Sequence, residues 1–483
     1  MGPALKRSVK HSGLVGIGVI AGVALSMQFS ALAQKPLEAG MPLAELRVLA
    51  DVYGLIKSDY VEPVDDKKLL TEAIAGMVAS LDPHSAYLDQ KAYAELREGT
   101  EGRFVGLGIE IAPSDEGYIR IVAPIEDSPA WRAGIQSGDL ITRINGRTIR
   151  GLALDQAVKQ MRGAPHTRVT LAILRKGLPA PLDIVIAREE IIQHSVKGKL
   201  VEPGYAWLRV SQFQEPTVDD LAARLAALYK QEPNLKGLVL DLRNDPGGLL
   251  QGAIGVAAAF LPSDAEIVST NGQLAGSKQS FYGRPEFYAL RGDSDALARL
   301  PAALKTVPLV VLVNTGSASA SEIVAGALQD YKRAVILGSH TFGKGSVQTI
   351  RPLSNDTAVK LTTARYYTPA GRSIQARGIV PDLLVDENAD GDGLNALRPR
   401  EADLDKHLAN DRDQEQRAAS RDEAEDELRI AALARSRKPL DYGSADDFQL
   451  RQALNHLKGL PLQLAAQHAA PALVQQPAKA ASR

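Results

Sequence analysis

Three serines at alternate positions, Ser317, Ser319 and Ser321, lie in the run Gly316-Ser317-Ala318-Ser319-Ala320-Ser321-Glu322. They follow the apolar run Leu309-Val310-Val311-Leu312-Val313 and precede an apolar segment of helical character over residues 323–328. Downstream come a lysine held between glycines, Gly343-Lys344-Gly345, and then Gln348. A serine in such a strand-to-helix turn sits where free backbone N–H groups can stabilise an oxyanion. Serine is a weak nucleophile until a base takes its proton, and a desolvated lysine can be that base. The lysine must then lose its proton near neutral pH, so burial must bring its pKa from about 10.4 toward roughly 7–8. An amide such as Gln348 can hold a neutral amine without adding charge. The pattern implies hydrolytic acyl transfer and requires no histidine. The same serines also suit helix capping, so two of the three can be structural. Gln348 also fits the polar position of an alternating strand over residues 347–350.

A third element lies upstream. The apolar strand pattern Gly237-Leu238-Val239-Leu240-Asp241-Leu242 runs into Arg243-Asn244-Asp245-Pro246-Gly247-Gly248, and a helix-like stretch over residues 249–261 follows. Paired glycines at the end of a parallel strand let the backbone approach a substrate and present N–H groups to it. Together with Thr341-Phe342-Gly343-Lys344-Gly345-Ser346-Val347-Gln348 and Ala364-Arg365-Tyr366-Tyr367-Thr368-Pro369-Ala370-Gly371-Arg372, these segments resemble the carboxy-terminal processing peptidases, or tail-specific proteases. The resemblance covers about residues 40–385, and four motifs in order are more specific than any one of them. It implies an α/β peptidase core of the crotonase or Clp kind. It also implies Ser319 as nucleophile, Lys344 as general base and Gln348 as the residue orienting Lys344. The oxyanion hole would be the N–H of Ala320 plus one from Gly247 or Gly248. Asp330, at the end of the helix behind the nucleophile, reads as structural. No cofactor and no metal are implied.

Residues 104–188 carry an independent signal. The pattern predicts strands over 105–111 and 118–122, a short helix after Ser128-Pro129-Ala130, and a strand over 139–144. An Asn145-Gly146 turn, a helix over 154–161 and a strand over 169–174 follow. This arrangement resembles a PDZ domain, with Gly106-Leu107-Gly108-Ile109 as its carboxylate-binding loop. Such a domain adds a substrate tail as an extra strand and captures its terminal carboxylate with backbone N–H groups. Leu107, Ile109 and Val158 are candidates for its apolar pocket, and all three also fit ordinary core. Arg162, at the end of the module's helix, is a candidate for coupling peptide capture to the peptidase, or a solvated helix-end cation.

The N-terminus reads as a bacterial export signal: Lys6, Arg7, Lys10 and His11, an apolar core over 14–29, then Ala31-Leu32-Ala33. An uncleaved inner-membrane anchor is the alternative, although the apolar stretch is short of the ~20 residues a span wants. The expected location is the periplasm or cell envelope. Zero cysteines exclude thiol catalysis and a disulfide framework, and the net charge of −1 gives no electrostatic case for nucleic acid.

The expected organisation is multidomain α/β. It comprises a signal or anchor over 1–33, a helical region over 34–100, a PDZ-like module over 101–188, and a peptidase core over 189–386. A surface insertion near 270–300 covers the active site, and a helical extension with a disordered tail spans 387–483. Leu46, Leu49, Val52, Tyr53 and Ile56, and then Leu70, Ile74, Met77 and Leu81, recur at helical spacing. The resemblance implies dimerisation through this region. Residues 401–437 read as a solvated helix or a partly disordered segment. Phe448, Leu450, Ala453, Leu454 and Leu457 form an amphipathic face suited to assembly or a partner. Asp386-Glu387-Asn388-Ala389-Asp390-Gly391 begins like a calcium loop, but Leu397 stands where the bidentate Glu belongs, so a turn-rich exit is expected. The partners implied are protein or peptide substrates with free apolar C-termini, a second copy of the chain and an adaptor protein. Two alternatives are a Ser-His-Asp PDZ protease using His340 and a non-catalytic PDZ scaffold. A third is a crotonase-like acyl-CoA enzyme.

Overall fold

The computed structural model describes residues 42–411 and 441–464, apart from 115, 126, 291, 293, 390 and 392–397. The signal segment, residues 412–440 and the C-terminal tail after 464 lie outside the described residues. The chain divides into two compact units at residue 73.

Helices α1 (Leu43–Asp59) and α2 (Asp66–Ala79) bury none of their residues. Leu46, Leu49, Val52, Leu70, Ile74, Met77 and Leu81 are all exposed. The region expected to be helical over 34–100 is interrupted. Strand β1 (Ala86–Leu88) leaves the helical region and pairs antiparallel with a distant strand of the core, before α3 (Gln90–Glu101) resumes. Asp89 caps α3 by accepting from Ala92 N–H, and Gly102 ends it in the left-handed region.

The stretch expected as one strand over 105–111 is two strands. β2 (Arg103–Gly106) pairs with β9 (Glu189–Ile192), whereas β3 (Ile109–Pro113) belongs to a different sheet. The break is at Gly108, whose φ of +75° turns the chain and whose absent Cβ would lie 2.2 Å from Ser128 Cβ. Next come β4 (Ile119–Pro124), α4 (Pro129–Arg132), β5 (Leu140–Ile144), β6 (Arg147–Thr148), α5 (Leu154–Met161), β7 (Arg168–Leu174) and β8 (Leu182–Ala187). They form a sheet of order β3-β4-β5-β7-β8, with β6 on β5 through the Asn145-Gly146 turn and β3 at the edge. Its core holds Ile121, Ile141, Ile144, Leu171 and Ile173 against Ala157 and Met161 of α5.

The main core is a sheet of order β10-β11-β12-β15-β16-β19, parallel from β11 onward. Its strands are β10 (Val196–Glu202), β11 (Tyr205–Val210), β12 (Gly237–Asp241), β15 (Leu309–Val313), β16 (Val335–Gly338) and β19 (Leu383–Leu384). Every residue of β12 and β15 is buried, as expected for strands covered on both faces. Alternation sorts their side chains. Leu238, Leu240, Val311 and Val313 face α6 (Thr217–Gln231), α7 (Leu250–Ala258) and α9 (Ala320–Asp330). Val239, Val310 and Leu312 face the other way, onto Phe448, Leu450, Ala453 and Leu454 of α10 (Phe448–Leu457). The amphipathic face read as an assembly or partner surface is therefore spent on the chain's own sheet. Without α10 one face of a doubly buried sheet would lie open to water.

A second sheet joins β1, β18 (Ala358–Tyr367), β13 (Glu266–Asn271) and β14 (Gln279–Tyr282), with β17 (Ser346–Pro352) hairpinned onto β18. The segment near 270–300 is thus only partly a surface insertion. β14 pairs with β13, and the following helix α8 (Pro285–Tyr288) buries Tyr288, whose hydroxyl donates to Asp295.

Candidate active site

The serine-rich turn joins β15 to α9, and its three serines have different positions. Ser317 Oγ donates to Leu242 O at 2.7 Å and Ser321 Oγ donates to Asp245 O at 2.8 Å. Both tie the turn to the loop after β12 and are fully buried. Ser319 is the N-cap of α9 with φ +54° and ψ −108°. That conformation is strained for a residue with a Cβ, and such strain collects at functional turns.

The glycine pair lies against this turn. A Cβ on Gly247 would come within 2.8 Å of Ala318 O and 2.9 Å of Ser319 Cβ, and one on Gly248 within 2.0 Å of Phe213 O. Gly247 N–H is engaged, donating to Asp245 Oδ1 at 2.9 Å. The N–H groups of Gly248 and Ala320 meet no acceptor among the described residues. Asp245 itself is fully buried, and its Oδ2 has no partner there. Burial raises its pKa well above the carboxyl range.

Glu322 links the serine to the lysine. It is fully buried one turn into α9, and its Oε2 accepts from Ser319 N–H at 2.8 Å and from Lys344 N–H at 2.9 Å. Its Oε1 accepts from Gly343 N–H at 2.7 Å and from Thr341 Oγ1. Burial pushes its pKa up to about 7 against the pull of these four donors. Two residues far apart in sequence thus place their backbones on one oxygen atom. The motif reading gives Glu322 no role. Its signal is the Ser-x-x-Glu spacing of a capping box, which promises the Ser319 contact but not the loop contacts.

Lys344 is partly buried. Burial, and then the nearby Lys360 cation, bring its pKa from 10.5 to about 8, while Glu401, Glu322 and Asp82 pull the other way. Gln348 sits on β17 at a bulge in the pairing with β18, a device that re-aims a side chain. Its Nε2 donates to Ser346 Oγ at 2.9 Å and to Thr362 Oγ1 at 3.2 Å. Thr362 Oγ1 in turn donates to Asp82, a buried carboxylate that also accepts from Ser85. Asp330 accepts from Ala370 N–H and pairs with Arg372, which ties α9 to the turn after β18. His340 has no carboxylate hydrogen bond among the described residues, and burial followed by the Arg400 cation lowers its pKa.

Gly106, the last residue of β2, and Leu107 after it are buried, and Leu107 belongs to the core of the β3-β4-β5-β7-β8 sheet. Ile109 and Val158 are half-buried beside that core. Arg162 ends α5 and bridges to Glu98 of α3 at 2.8 Å. Among the described residues no group of His, Cys, Asp or Glu could hold a metal ion.

The sequence matches the model of peptidase family S41 over residues 204–385, the range that holds the serine turn, the glycine pair and the lysine loop. It is 47% identical to the carboxy-terminal-processing protease of Bartonella bacilliformis over 345 residues, 71% of this chain and 75% of that protein. The chain belongs to peptidase family S41. It is a serine peptidase of the carboxy-terminal-processing kind, with a PDZ domain matched over residues 120–175. Residues 21–92 match the N-terminal domain of the activating protease CtpB. A Staphylococcus aureus protein described as "Probable CtpA-like serine protease" is 38% identical over 348 residues, and the match spans 71% of this chain and 65% of that one. Among solved structures, the photosystem II D1 C-terminal processing protease is 30% identical, covering 71% of this chain and 86% of its own, with a TM-score of 0.39. The family excludes the scaffold and acyl-CoA alternatives.

Proposed function

We propose that this S41 peptidase is an endopeptidase that captures the free C-terminus of a protein in its PDZ domain and cuts with a Ser319/Lys344 pair. The observation that carries the pair is the shared Glu322 oxygen, which holds the nucleophile's amide and the lysine's amide together. With a pKa of about 8, Lys344 is in part a free amine at neutral pH. Its Nζ takes the Ser319 hydroxyl proton as Oγ attacks the scissile carbonyl, and returns it to the departing amine. Water then attacks the acyl carbon as Lys344 takes its proton, and that proton passes to Ser319 Oγ as the Oγ–acyl bond breaks and the acid product leaves. The tetrahedral oxyanion is held by Ala320 N–H and by Gly248 N–H, since the N–H of Gly247 already serves Asp245. Gln348, with its NH₂ on Ser346 and Thr362, keeps its Oε1 for the neutral Lys344 amine.

Strand β3 is the edge of the PDZ sheet, so a peptide strand can be added along its open side. Gly106 to Ile109 form the turn that would take the terminal carboxylate, and the half-buried Ile109 and Val158 would contact the last side chain. Leu107 contributes as core beneath them. A Ser-His-Asp alternative is disfavoured because His340 has a cation, not a carboxylate, as its charged neighbour.

The substrates are proteins of the cell envelope, reached through the export signal. Among the described residues no helix is long and apolar enough to cross a membrane. The apolar residues that α1 leaves exposed suit contact with a second copy of the chain. The test is cleavage of an unstructured polypeptide with an apolar C-terminus, free or amidated. Ser319→Ala and Lys344→Ala should abolish cutting, His340→Ala should retain it, and amidation should raise KM. Activity in Lys344→Ala would refute the pair.

A further inference from the structure

The lysine loop is held from two sides, and only one is the nucleophile helix. On the other lies residues 398–411, a segment beyond the range that matches the family. Glu401 is fully buried at its centre. Its backbone N–H donates to Phe342 O at 3.0 Å, two residues before Lys344. Its Oε1 accepts from Gln375 Nε2 at 2.8 Å, and Gln375 Oε1 accepts from Gly345 N–H at 3.0 Å, one residue after Lys344. Its Oε2 is 2.7 Å from His84 Nε2. The neighbouring Arg400 donates to Thr341 O at 3.1 Å and to Arg377 O at 2.6 Å. The Phe342–Gly345 backbone is thus held directly by the Glu322 carboxylate from α9, and from the C-terminal segment by the Glu401 N–H on Phe342 O and by the Glu401 carboxylate acting through Gln375. A buried carboxylate is costly to desolvate, and that of Glu401 finds its partners in Gln375, which holds the loop, and in His84.

We propose that Glu401 is a positioning residue for Lys344, so that the C-terminal segment is part of the active site. It fixes the loop through Gln375 and Phe342, and it adds negative charge to the field that Lys344 feels. The inference rests on Lys344 being the general base. The charges around Lys344 are Glu401, Glu322 and Asp82 of one sign and Lys360 of the other, and His84 faces Glu401. Glu322 has its pKa near 7 and titrates in the same window. Glu322, Asp82 and Lys360 are common to wild type and a Glu401 variant, so the difference between their pH profiles reports Glu401 together with its partner His84.

The experiment measures kcat and KM of the full chain from pH 5.5 to 9.5 for wild type, Glu401→Gln, Glu401→Ala and Lys344→Ala, with a thermal melt of each. Glu401→Gln keeps an acceptor for Gln375 but removes the charge that favours the lysine ammonium. Its acid limb should move to lower pH by about half a unit, which is about 3-fold more of its own plateau activity at pH 6. Glu401→Ala should lose at least about 10-fold in kcat with little change in KM, because a displaced base affects the chemical step. Glu401→Gln should lose less than that. An acid limb of Glu401→Gln that coincides with wild type overturns the inference. Full kcat in a folded Glu401→Ala does so too. If Glu401→Ala does not fold, the limb of Glu401→Gln decides alone. Should Lys344→Ala still cut, the base assignment itself fails, whatever the Glu401 variants do.

Discussion

Replacing Lys344 by methionine should stabilise the protein while removing its activity. The folded chain holds the Lys344 ammonium at about 8, whereas an exposed lysine titrates near 10.5. The folded environment therefore disfavours the charged form by about 3 kcal/mol at pH 7, at ~1.4 kcal/mol per pH unit. Between those two values the unfolded chain binds more protons than the folded one, so wild-type stability climbs as pH rises. Below about pH 8 both states are protonated and the penalty is constant. Methionine fills a similar volume and does not titrate. The variant should thus exceed wild type by up to about 3 kcal/mol at pH 7, falling to about 1.4 kcal/mol at pH 9.5. Urea unfolding at both pH values, followed through Trp207, measures this. Trp207 is buried on the main sheet, whereas Trp131, the other tryptophan, is exposed on the PDZ domain. A stability difference that is the same at both pH values would refute the reasoning, because lost packing has no reason to follow the proton.

Asp245→Asn keeps the acceptor for Gly247 N–H and removes a buried carboxyl whose pKa is raised. Stability held by that carboxyl is present below the ordinary carboxyl range and lost as pH rises toward the raised value. The variant should therefore melt higher than wild type at pH 7 and equal to it near pH 4, by about 2–4 °C per kcal/mol; an equal gain at both would show that protonation is not involved. Asp447 pairs with the fully buried Arg243 and caps α10 through Leu450 N–H. Asp447→Ala leaves that guanidinium with Asp241 alone among its carboxylates and should cost about 3–5 kcal/mol in unfolding. An unchanged urea midpoint would mean that α10 is held by its apolar face without the ion pair.

The chemistry-bearing residues were legible because each motif joins a strand to a helix or a hairpin, where local pattern is strongest. Leu309–Val313 and Gly237–Asp241 read as buried strands since every position is apolar or small but one. The helix Leu154–Met161 and the Asn145-Gly146 turn followed from periodicity and turn chemistry. The break at Gly108 did not, because apolar residues continue on both sides and only the collision with Ser128 shows that the chain must turn. The face of α10 was legible as apolar, but not what covers it: amphipathicity says that a face must be buried, not against what.

By itself, the sequence determined which residue types stand at the ends of which strands, and hence the candidates Ser319, Lys344 and the Gly247-Gly248 pair. Motif resemblance pointed to the middle serine, and the tertiary structure adds that the hydroxyls of Ser317 and Ser321 are spent on Leu242 O and Asp245 O. The tertiary structure alone distinguishes the two glycines, giving the Gly247 amide an acceptor in Asp245 and the Gly248 amide none among the described residues. It also brought Glu322 and Glu401 to the lysine loop from opposite sides. The reason is one of range. Propensity and spacing act over a few residues, whereas a carboxylate taken out of water must find its donors wherever the fold supplies them.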